Sequence, residues 1–134
     1  MTREYLASVA SVDRNVGRLL QELKQKQLDQ NTVIIFSSDH GYNMGHNGIW
    51  HKGNGHWVLN KNPKPTPNIP AGQRPNMYDN SLKIPTAVLW PGVTQPNQIV
   101  NQTVSNLDWF PTLLEMAQVS QPANLTIRGR SIVP

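Results

Sequence analysis

With 134 residues, the chain is long enough for one domain with a hydrophobic core, and no apolar run in it could span a membrane. Cysteine is absent, which excludes a disulfide framework, a thiolate metal site and a cysteine nucleophile among these residues. The net charge of +4 favours anionic partners, but the basic residues are scattered and form no nucleic-acid motif, so nucleic acid is not expected to be one.

The predicted elements begin with an amphipathic helix over residues 4–28. Leu6, Val9, Val12, Val16, Leu19, Leu20 and Leu23 recur mostly at three- and four-residue steps. Glu4 near its start and Lys24 and Lys26 near its end suit the helix dipole. Asp29, Gln30 and Asn31 break the pattern. Thr32, Val33, Ile34, Ile35 and Phe36 then form a β-branched run too continuous for a one-sided strand, which predicts a central strand of a parallel sheet. A helix followed closely by a buried strand is half of a βαβ unit, so the expected class is α/β.

Residues 38–78 are rich in Gly, Asn, His and Pro with little periodicity, and all four histidines fall there. A loop of that length inside a domain is usually functional or disordered, and the histidines favour function. Residues 84–90 read as a second buried strand, with Pro85 near its start and Pro91-Gly92 stopping it. A final helix is expected over residues 107–118. Ser105 and Asp108 have capping-box spacing ahead of it, Pro111 lies in its early turns, and Leu113, Leu114 and Ala117 can face a core. Two central strands and two helices do not close a sheet, so the chain reads as a piece of a larger domain, and its unpaired edges predict poor solubility when isolated.

The chemistry-bearing residues follow the first strand. Asp39 and His40 offer a carboxylate oxygen and an imidazole nitrogen to one cation at a strand's carboxyl end, where open α/β sheets bind ligands. Gly41 lets the backbone turn there. A short loop further on, Lys52 is a compact point charge able to hold one oxygen of a sulfate or phosphate. The competing interpretation is a polar turn with a solvated lysine. His46, His51 and His56 can each be surface residues or pocket residues, and Trp50 and Trp57 suit packing.

The order of segments carries more information than any one of them. Tyr5, Val12-Asp13 and Val16-Gly17 on the helix precede the run from Asn31 to Gly41, then Gly45 to Lys52. Ser81 to Pro85, Trp90-Pro91-Gly92, Leu107-Asp108 and Pro111 to Leu114 follow. This succession resembles the second half of the catalytic domain of the sulfatase family, in the alkaline-phosphatase superfamily, over almost the whole chain. The resemblance implies a partial sulfatase-like α/β fold over residues 1–134, with mostly parallel central strands flanked by helices.

It also implies a site. Asp39 and His40 match positions that complete a metal site, with Ca2+ expected and Zn2+ or Mn2+ as alternatives. Lys52 matches the lysine that contacts the substrate sulfate, while His46, His51, His56 and Trp57 are pocket-wall candidates. Many relatives carry His where this chain has Asn47, with His46 one place earlier.

The family's nucleophile, a formylglycine made within a Cys/Ser-x-Pro-x-Arg motif, has no counterpart here. It is expected, with the remaining acidic metal ligands, in an N-terminal half that this chain needs. The chain alone is accordingly expected to be inactive. The implied partner is a sulfated small molecule or sulfated glycan, and the implied compartment is periplasmic, secreted or lysosomal. Two alternatives remain open: a phosphoric ester hydrolase of the same superfamily, and a non-catalytic remnant binding sulfated glycans through Lys52, Lys61, Lys64 and Arg74.

Overall fold

The computed structural model describes residues 2–46, 50, 52 and 78–134. Helix α1 spans Thr2–Gln25 and carries the predicted acidic start and basic end. Its C-terminus falls earlier than the apolar pattern suggests because Gln27 adopts a left-handed conformation with φ of 56°. Leu28 N–H then reaches back to the Leu23 carbonyl and Gln27 N–H to that of Lys24, at 2.9 and 3.1 Å. These two bonds are a Schellman stop with glutamine where glycine is usual, and Leu23 and Leu28 are its apolar pair. A 3₁₀ turn over Asp29–Asn31 leads on to the sheet.

A non-glycine residue in this conformation is strained by roughly 1–2 kcal/mol, partly offset by the extra entropy a glycine loses on folding. Gln27→Gly is therefore expected to stabilise α1 by about 0.5–1 kcal/mol. A rise in the chain's thermal midpoint checks this; no change would mean that the turn accommodates glutamine without strain.

Strand β1 covers Ile34–Phe36, the short helix α2 covers Asp79–Leu82, and strand β2 covers Ala87–Leu89. The pairing of β1 with β2 is antiparallel, with Ile34 opposite Leu89 and Phe36 opposite Ala87. The expected parallel arrangement thus has no instance among the described residues. A continuous apolar run reports potential burial of both faces; strand direction is set by how the chain returns.

Both strands are also shorter than predicted. Pro85 has no N–H to donate, so the ladder begins only after it, and the Ser37 and Thr86 hydroxyls continue the contact at 3.0 Å. Thr32 is instead tied to the end of α1, donating to the Leu28 carbonyl at 2.7 Å. Neither strand is buried on both faces within this chain, with Phe36 and Leu89 42% and 51% exposed. The apolar stripe of α1 is likewise open, and no residue of that helix is buried.

Backbone contacts divide the chain into two compact units, residues 1–96 and 97–134. The second unit is built around helix α3, Trp109–Met116, entered through a 3₁₀ turn at Asn106–Asp108. The predicted capping box is present. Leu107 N–H donates to Ser105 Oγ at 3.2 Å, and Ser105 N–H donates to Asp108 Oδ2 at 2.8 Å. Asp108 also holds the tail, because Oδ1 accepts from Arg130 N–H at 2.9 Å. The fully buried Thr112 donates to the Asp108 carbonyl and accepts from Ile132 N–H at 3.1 Å.

The N–H bonds from Arg130 and Ser105 hold the Asp108 carboxyl below its ordinary value against slight desolvation, and the Arg130 charge adds to them. A carboxylate lowered in the folded state contributes stability above the unfolded value near 3.8 and loses it as pH falls through the folded value. The second unit is expected to loosen only below about pH 4. Asp108→Asn should flatten that acid limb in a pH series of thermal melts, whereas an unchanged limb would mean that another carboxylate governs it. Among the described residues, no helix is long and apolar enough to cross a membrane.

Candidate functional site

The end of β1 leads directly into the segment that carries the acidic and imidazole groups. Ser37, Ser38, His40, Gly41 and Tyr42 line one side of an open cleft of about 610 Å³ in the first unit. Asp79, Asn80 and Lys83 on and beside α2 line the other, with Tyr5 and Val12 from α1. Tyr5 and Tyr42 stack, their ring centres 6.0 Å apart and their planes 19° from parallel. Asp79 and Lys83 form an ion pair of 2.6 Å at i and i+4. Both are largely exposed, so the pair orders the rim and adds little stability.

Asp39 and His40 point their polar ends at each other. Oδ2 of Asp39 lies 3.5 Å from Nε2 of His40. His40 Nδ1 lies 2.8 Å from the Gly41 carbonyl. A carbonyl can only accept, so Nδ1 carries a proton there, and Nε2 is the ring nitrogen that faces the carboxylate.

Although the Asp39 side chain is 83% exposed, nearby chain strips some of its water and pushes its carboxyl up. That push is outweighed by its own N–H, the His40 charge, the His40 N–H at 3.0 Å and the Ser38 hydroxyl. The result is a carboxyl below its ordinary value, hence an anion at neutral pH.

The other sequence candidates are placed differently. His46 is exposed, and its Nδ1 accepts from Met44 N–H at 3.2 Å, a local turn contact. Lys52 is exposed. Neither is among the described residues lining the cleft. The Trp50 ring lies close against Gly45, as a packing residue would, and its carbonyl accepts from the Tyr42 hydroxyl at 3.3 Å. His51, His56 and Trp57 lie outside the described residues, as do Lys61, Lys64 and Arg74.

Sequence reasoning missed Asn43 and Ser81, the two buried polar residues behind the Asp39–His40 pair. The one sequence signal pointing to them was Gly41, a glycine where two backbones must approach.

The sulfatase family model matches residues 1–119. The chain belongs to the sulfatase family. It is 32% identical to the steryl-sulfatase of Rattus norvegicus over 97% of this chain and 21% of that protein. It is 34% identical to an endo-4-O-sulfatase of Bacteroides thetaiotaomicron over 98% of this chain and 22% of that protein. Among solved structures, BT4656 in complex with its substrate D-glucosamine-2-N,6-O-disulfate is similar with a TM-score of 0.67 and 30% identity. That similarity covers 98% of this chain and 22% of the other. This sulfatase chain therefore spans about a fifth of the length of the relatives it matches.

Among its described residues, no group of three or more His, Cys, Asp or Glu side chains converges as a metal site would. Asp39 and His40 are two donors only.

Proposed function

We propose that this chain supplies one side of a metal-assisted site that hydrolyses a sulfate ester, completed by an N-terminal half of the domain outside these 134 residues. The observation that carries the proposal is the Asp39–His40 pair just beyond the end of β1, with Oδ2 and Nε2 as neighbouring donor atoms. Their 3.5 Å separation suits neighbouring donors on one cation with bonds of about 2.0–2.6 Å. The Nδ1 bond to Gly41 leaves Nε2 as the ligating nitrogen, just as a hydrogen bond on the far ring nitrogen orients metal-binding histidines elsewhere. Oxygen and nitrogen donors fit Ca2+, with Zn2+ or Mn2+ as the alternatives. When bound, the cation would neutralise charge on the sulfate and polarise its oxygens.

The chain's own residues divide the remaining work. Lys52 holds a sulfate oxygen and stabilises charge on the transferring group. His46, His51, His56 and Trp57 form the pocket wall that selects the alcohol or sugar. The nucleophile, a formylglycine, comes from the absent half, as do further acidic ligands. The open apolar stripe of α1 and the half-exposed faces of β1 and β2 support a larger sheet around them, with this antiparallel pair as part of it; mostly parallel neighbours are what the family resemblance implies. Sulfated sterols or sugars are the substrate class supported by the relatives' names and by the disulfated glucosamine bound in the similar structure.

The test is to sequence upstream of the Met1 codon, express the full reading frame, and assay aryl sulfate against aryl phosphate with and without a chelator. Chelator-sensitive hydrolysis of the sulfate, reduced about 10²-fold or more by Lys52→Ala, is expected. Preference for the phosphate ester would move the activity to phosphoric ester hydrolysis. Binding of sulfated glycan with no turnover of either would leave a non-catalytic remnant.

A further inference from the structure

The orientation of His40 depends on a peptide held from outside its own loop. The acceptor for its Nδ1 proton is the Gly41 carbonyl, so rotation of that segment would release the ring. On its other side, Gly41 N–H donates to the Ser81 carbonyl at 2.8 Å. A side chain at position 41 would collide with the Asn80 carbonyl, so the two backbones touch here with no space between them.

Two residues further on, the fully buried Asn43 donates from Nδ2 to Ser81 Oγ at 2.8 Å. Ser81 itself is 5% exposed. Thus α2 grips residues 41–43 at two points, one through the backbone and one through side chains, 38 residues away in sequence. A buried polar pair of this kind is costly to break from one end, because the partner left behind loses its bond without regaining water.

We propose that Ser81 is a positioning residue: through Asn43 and the Gly41 peptide it sets the ring plane and tautomer of His40 so that Nε2 faces Asp39. Its consequence for metal affinity rests on the function proposed above; its consequence for the tautomer does not. Outer-shell partners that orient a ligating imidazole typically contribute about 10–100-fold in metal affinity.

The experiment uses the full natural chain labelled with 15N in histidine, with the His40 signals assigned from their loss in His40→Ala. Wild-type His40 is expected to carry its proton on Nδ1. Ser81→Ala and Asn43→Ala should each shift it toward a mixture containing the Nε2–H form and weaken Ca2+ binding, read by calorimetry, about 10-fold or more.

Ser81→Ala removes one atom and keeps the backbone acceptor, so it carries the test if Asn43→Ala does not fold. An unchanged tautomer in a folded Ser81→Ala variant overturns the positioning role, even where Asp39→Ala abolishes Ca2+ binding. A shifted tautomer supports it even where wild type and Asp39→Ala bind Ca2+ alike, which would defeat the metal proposal alone.

Discussion

Replacing Asp39 with alanine in the full natural chain is expected to lower sulfate-ester turnover by about 10²-fold or more while leaving the circular dichroism spectrum unchanged. The two halves of this expectation have separate causes. The Asp39 side chain is 83% exposed and contributes nothing to a core, so removing it leaves no cavity. Its carboxylate is nevertheless held as an anion beside His40 Nε2, which is what a cation site requires. Asp39→Asn sharpens the measurement. It preserves the shape and the acceptor for His40 N–H but removes the charge, so it should lose most of the activity and calcium dependence that alanine loses. Full activity in either variant would remove Asp39 from the site.

The second large effect falls in the unit made of residues 97–134. Gly129→Ala would drive a methyl group into the Leu107 carbonyl, a backbone atom that cannot swing aside. The tail must then lift, and with it the bonds from Arg130 to Asp108 and from Ile132 to Thr112. A loss of roughly 2–4 kcal/mol is expected, in the range of a strained close approach plus broken buried hydrogen bonds. Thr112→Val, which removes the hydroxyl that both donates and accepts, should cost about 1–3 kcal/mol. The two changes disturb one strap, so their combination should cost less than the sum. Denaturant unfolding of the chain measures all three, and full additivity would mean that the tail and Thr112 act independently.

Much of the local structure is legible in the sequence. The three- and four-residue spacing from Leu6 to Leu23 marks α1, and Ser105 with Asp108 marks the entry to α3, because each pattern depends on residues within a turn or two of one another. The adjacency of Asp39 and His40 at the end of a strand is likewise a local fact, and the ordered segments carry the family. What the residues do not announce are the helix ends. Gln27 and Gln118 both take the left-handed position that glycine usually fills, with φ of 56° and 55°, so neither stop has a compositional signal. Helix α2 is hidden for a different reason: four residues are too few to show a period.

By itself, then, the amino-acid sequence determined α1 and α3, the approximate strands, the family and the pair of candidate donors, since periodicity, capping and motif order are written in near neighbours. Only the tertiary structure decided that β1 and β2 run antiparallel, that α2 grips the Gly41–Asn43 segment, and that the tail is strapped to Asp108 and Thr112. Those contacts join residues from 20 to 55 positions apart. Their partners are chosen by the path of the chain and by the cost of burying a polar group without a bond, and neither can be read from the residues flanking each position.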